Sequence, residues 1–113
     1  MKIEELLQKL NLRENLELEF KAAAGGMPSS LWATVSAFAN TRGGWILLGV
    51  REDKEKIRFE GIKNSETMKQ DIFNLMRNRQ KISMEVCGPE DIRSQKIAGA
   101  DILILKIRAA SNS

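Results

Sequence analysis

Arg77, Arg79 and Lys81 stand at alternate positions within five residues and form the densest cationic cluster of residues 69–113. Cations so spaced can neutralise successive phosphates of a nucleic-acid backbone, which confers affinity and little sequence selectivity. Lys21, Arg42 and Arg51 would extend such a surface, and the amide of Asn40 can bond either its own turn or a ligand. The same cluster has a structural use: it follows a helical segment, whose negative C-terminus favours cations.

Other chemistries are narrowed by what the 113 residues lack. There is no histidine, which removes Ser-His-Asp and Cys-His nucleophilic catalysis and every imidazole metal site. Cys87 is the single cysteine, so it forms no internal disulfide and anchors no Cys/His zinc site; it reads as a small apolar filler in a strand. Neither GxxxxGK[ST] nor a GxGxxG opening a helix is present, and Ala24-Gly25-Gly26-Met27 is a weak substitute, so the residues themselves give little ground for ATP binding. The four phenylalanines and two tryptophans mostly fall on apolar stripes, and only Trp32 could offer a stacking surface, if its helix leaves it exposed.

The net charge of +3 is unevenly spread: residues 1–68 carry ten basic and ten acidic side chains, whereas 69–113 carry eight and five. No apolar run approaches the ~20 residues that span a bilayer, and the N-terminal stretch MKIEELLQKL is charged throughout, so a cytoplasmic protein is expected.

The elements that must position these residues follow from periodicity. Ile3, Leu6, Leu7 and Leu10 predict an amphipathic helix that Asn11 can end. Leu16, Leu18 and Phe20 alternate with Glu17, Glu19 and Lys21, predicting a strand whose charged set faces solvent or a site. Glu19 and Lys21 then read most simply as a charge pair on an exposed face. Pro28-Ser29-Ser30 opens a second helix running to about Asn40, with Leu31, Val35 and Phe38 on one stripe. Trp45–Val50 predicts a strand covered on both faces, Arg51–Lys56 a charged turn, and Ile57–Ile62 the second strand of a hairpin. Met68, Ile72, Leu75 and Met76 mark a third helix. Ile82, Met84 and Val86 alternate as a strand, Ile102–Ile107 forms another, and a further short strand fits near Ser94–Ile97. The fold class is α/β (α+β): one mixed-sheet domain over residues 1–113, in the order α-β-α-β-β-α-β-β. The chain ends soon after its last strand in Ala109–Ser113 and is expected to be the N-terminal part of a longer protein.

Three strings recur together: Glu14-x4-Glu19-Phe20-Lys21, then Ser36-Ala37-Phe38-Ala39-Asn40-Thr41-Arg42-Gly43-Gly44, then Leu47-Leu48-Gly49-Val50. This combination resembles the Schlafen AlbA_2 domain, most strongly over residues 14–62. Two labels attach to such domains: DNA-binding domain of bacterial and archaeal transcriptional regulators, and divergent AAA-type ATP-binding domain. The resemblance implies an Alba-like or Schlafen-like fold and a nucleic-acid partner, DNA before RNA, and it leaves a homodimer plausible. In Schlafen-type ribonucleases an acidic trio holds a divalent metal, Mg²⁺ or Mn²⁺; its first two members match Glu14 and Glu19. Where many relatives place aspartate directly after the second strand, this chain has Arg51, with Glu52 and Asp53 following. A nuclease would therefore use Glu14, Glu19 and either Glu52 or Asp53 as metal ligands, with Glu14, Glu19 and Asp53 as the catalytic set, and it alone would require a cofactor. Three functions stay open: a non-catalytic nucleic-acid-binding module, a metal-dependent endoribonuclease, and a self-association module.

Overall fold

Trp45–Val50 carries too many apolar side chains for a strand with one wet face, and the chain buries both of its sides. A computed structural model describes residues 2–12, 16–54, 56–78 and 85–110. Its elements are α1 (Ile3–Leu10), β1 (Glu17–Lys21), α2 (Leu31–Ala39), β2 (Gly44–Leu48), β3 (Val50–Asp53), β4 (Lys56–Phe59), α3 (Ser65–Asn78), a 3₁₀ turn (Pro89–Asp91), β5 (Ile92–Ile97) and β6 (Ala100–Ile107). A four-stranded mixed sheet runs in the order β1-β2-β6-β5, with β1 parallel to β2 and the other neighbours antiparallel; β3 and β4 form a separate two-stranded ribbon.

Strand alternation sends side chains into two cores. Ile46, Leu48, Leu103 and Leu105 pack with Leu31, Val35 and Phe38 of α2 and Met68, Ile72 and Met76 of α3. Leu47, Ile102, Ile104 and Ile97 pack on the opposite face with Leu6 and Leu10 of α1 and with Val50 and Ile57 of the ribbon. The sheet is thus a middle layer, which explains the continuous hydrophobicity of β2 and β6. Asn11 ends α1 in the left-handed region, at φ 57°, as its residue type predicts.

The run expected as one strand from Trp45 to Val50 breaks at Gly49. Its φ of +92° turns the chain out of the sheet, its amide donates to the carbonyl of Lys21, and its carbonyl accepts from Gly61. A Cβ there would lie 3.1 Å from the Gly61 backbone. The hairpin exists, but its first arm is β3, and β2 belongs to the main sheet.

The strand expected around Ile82, Met84 and Val86 is corrected in its last part. Residues 82–84 lie outside the described set, and Glu85 and Val86 are helical. Alternation over three residues is a short signal, and Val86 is buried against the α2–α3 core all the same. The neighbour of β6 is instead the short strand foreseen near Ser94–Ile97. The tight turn Ala98-Gly99, with φ of 51° and 79°, joins β5 to β6 and pairs Ile97 with Ala100. Positive φ at both central residues matches the right-handed twist of a two-residue hairpin.

Candidate functional site

Glu19 and Lys21 project from the same side of β1, and that side faces α2. Lys21 Nζ lies 2.9 Å from Glu19 Oε2 and donates to Ser30 Oγ at 2.7 Å. Thr34 Oγ1 donates to Glu19 Oε2 at 2.7 Å. The Lys21 side chain retains 10% of its exposure and that of Glu19 43%, so the ammonium is tucked beneath the start of α2 while the carboxylate stays partly open to solvent. Ser30 stands at the N-cap position of α2, yet its hydroxyl makes no capping bond and accepts from Lys21 instead. The bond from Thr34, then that from Lys21, holds the Glu19 carboxyl below its ordinary value of 4.5.

Glu19, Arg51 and Glu52 line one cleft of about 550 Å³, floored by Leu7, Leu18 and Phe20. Alternation along β3 decides which acid joins them. Val50 and Glu52 point to the side of the core, whereas Arg51 and Asp53 point outward. Asp53 Oδ2 lies 3.4 Å from Arg58 Nε, and Arg51 Nη2 lies 2.7 Å from Glu60 Oε2. Glu14 lies outside the described residues, and among the described residues no three metal-ligating side chains converge. Glu19 and Glu52 both border this cleft, but the Glu19 carboxylate is turned to the α2 side of β1, away from Leu18 and Phe20, and the Arg51 guanidinium is turned to Glu60 on the outer face of the ribbon.

The remaining expected cations are distributed over the molecule. Asn40 and Arg42 lie in the turn before β2, at the end where Glu17 pairs with Gly44; Lys21 lies at the other end, paired with Leu48. Four residue steps along the strand separate these ends by about 13 Å. Asn40 closes α2 with φ −86° and does not adopt the left-handed conformation that its type permits; Gly43 takes that role at φ +83°. Thr41 bonds locally, its hydroxyl donating to the carbonyls of Ala37 and Phe38. A Cβ at Gly44 would meet the Phe38 ring at 2.7 Å and the Glu17 carbonyl at 2.9 Å, so this glycine answers to strand packing.

Arg77 ends α3 with its guanidinium 5.7 Å from the Phe73 ring centroid. Arg79 and Lys81 lie outside the described residues. Arg42 and Arg77 are exposed and have no carboxylate partner among the described residues. Trp32 is half-buried against the α2–α3 core. Arg58 is a further exposed cation: the alternation of Lys56-Ile57-Arg58-Phe59 puts it on the outer face, and the register sets it directly opposite Arg51 across the ribbon.

The model of the Schlafen AlbA_2 family matches residues 14–113. No curated protein matches the chain. Among solved structures, the chain is similar to the N-terminal domain of an ATP-dependent DNA helicase RecG-related protein from Nitrosomonas europaea, determined by solution NMR. That likeness has 24% identity and a TM-score of 0.68, and it covers 98% of this chain and 75% of the other. At that identity it speaks for the fold.

Proposed function

The chain belongs to the Schlafen AlbA_2 family, and from that premise we propose that it is a non-catalytic nucleic-acid-binding module, directed to DNA, within a transcriptional regulator. The observation that carries this reading is the state of its charged groups. Arg42 and Arg77 offer exposed guanidiniums without a carboxylate partner among the described residues, whereas the Glu19 carboxylate is already engaged by Lys21 and Thr34. Free cations can release condensed counterions from a phosphate backbone, and a neutralised carboxylate is a poor cation ligand. The name of the Nitrosomonas structure, a helicase-related protein, agrees with a nucleic-acid setting.

The nuclease reading keeps one observation in its favour: Glu19 and Glu52 border the same cleft. The Glu19 carboxylate opposes it, being turned to the α2 side and already engaged by Lys21 and Thr34.

The test is fluorescence anisotropy of labelled duplex DNA and single-stranded RNA across a salt series, with and without Mg²⁺ or Mn²⁺, and with the products run on a gel. The module reading expects salt-dependent binding, stronger for DNA, with intact products. Metal-dependent cleavage lost in Glu19→Ala would replace it with the nuclease. Absence of binding at low salt would replace it with self-association.

A further inference from the structure

The β3–β4 ribbon shows two contrasting faces. Val50, Ile57 and Phe59 turn inward onto the α1 core, while Arg51, Asp53, Lys56 and Arg58 alternate with them and are exposed. Arg51 and Arg58 stand directly opposite one another in the antiparallel register. Like charges at directly opposed positions destabilise a strand pair, so sheet formation alone gives no reason for this placement. Each guanidinium is steadied by a diagonal carboxylate: Arg51 by Glu60 at 2.7 Å and Arg58 by Asp53 at 3.4 Å. Both arginine side chains nevertheless keep more than half of their exposure, 54% and 61%.

Resting on the nucleic-acid reading above, we propose that this outer face is where the protein grips its partner: Arg51 and Arg58 form a two-guanidinium clamp on the phosphodiester backbone of duplex DNA, with Lys56 beside it. Planar guanidiniums match phosphate oxygens in bidentate fashion. Exposed ion pairs are weak, so a phosphate can displace Asp53 and Glu60 at small cost. Until then the carboxylates hold the two arginines apart and oriented, which lowers the ordering entropy at binding. The clamp addresses backbone and not bases, because no aromatic side chain projects from this face: Phe59 belongs to the inner one.

The clamp makes a prediction of opposite signs. In the anisotropy assay with duplex DNA, Arg58→Ala is expected to weaken binding roughly tenfold and to lower the salt slope by about 1. Asp53→Asn and Glu60→Gln, which remove the competing carboxylates, are expected to tighten binding. Were the ion pairs only structural, removing either partner would leave affinity unchanged or reduce it. Wild-type affinity and slope in Arg58→Ala, or weaker binding in Asp53→Asn and Glu60→Gln, would overturn the clamp while leaving nucleic-acid binding in place. Failure of the wild-type chain to bind duplex DNA would overturn both. Free nucleotide and inorganic phosphate serve as competitors, and displacement at concentrations equivalent to the phosphates of the duplex would show a small-anion site in place of the backbone clamp.

Discussion

Lys21 and Glu19 form an ion pair at 2.9 Å between positions two apart on β1, on the side covered by α2. The ammonium is largely withdrawn from solvent and shared with Ser30, while Thr34 holds the carboxylate. These four polar groups tie an edge strand to the start of a helix. The Glu19-Phe20-Lys21 string thereby has a structural use in this chain, independent of any ligand.

Acid titration should reveal the pair. Because the Glu19 carboxyl is held below 4.5 in the folded state, its contribution to stability is complete above the unfolded value and is lost as pH falls through the folded one. Glu19→Gln is expected to flatten the acid limb of a stability–pH curve below about pH 4.5. Thr34→Ala should raise the Glu19 titration midpoint, measured from its side-chain carboxyl NMR signal. An unmoved midpoint would remove Thr34 as the leading cause.

Salt dependence separates exposed cations from the sequestered Lys21. Arg42→Ala and Arg77→Ala are each expected to lower the slope of log affinity against log salt by about 1. Lys21→Ala should leave that slope unchanged and reduce the melting temperature instead. A fall in slope for Lys21→Ala would put its ammonium on the nucleic acid.

Substitution of Gly44 by alanine should cost about 1–3 kcal/mol in urea unfolding, because the added methyl must displace the Phe38 ring or the Glu17 carbonyl. Gly25→Ala is the matched control. Nothing lies within 4 Å of its built Cβ, so stability is expected to hold or rise by about 0.4–1 kcal/mol through the unfolded chain.

The Cys87 thiol is pushed up to about 12, chiefly by burial and then by the charge of Asp91. At pH 8.5 alkylation of the folded protein should therefore be slow, and it should accelerate with denaturant in step with opening. Rapid labelling in native buffer would contradict the burial of this residue.

Much of the architecture was legible in residue order. The amphipathic stripe of α1, the stripe Leu31–Val35–Phe38 of α2 and the doubly covered runs of β2 and β6 are consequences of period and of the water each side chain avoids, and these act locally. The AFANT-x-GG string also carried its own explanation, since glycine at φ +83° and glycine against an aromatic ring are constraints on single positions. Tertiary structure alone decided where the charged groups went. Gly49 turns β3 out of the main sheet, and this one rotation sends Arg51 and Asp53 outward and Glu52 toward the cleft beside α1. The same turn sets Arg51 against Arg58. Register between strands depends on which faces find a core, and a shift of one residue reverses every side chain. Charge spacing along the sequence therefore could not say that Lys21 is sequestered, that Arg42 lies at the opposite end of the sheet, or that two arginines meet on one exposed ribbon.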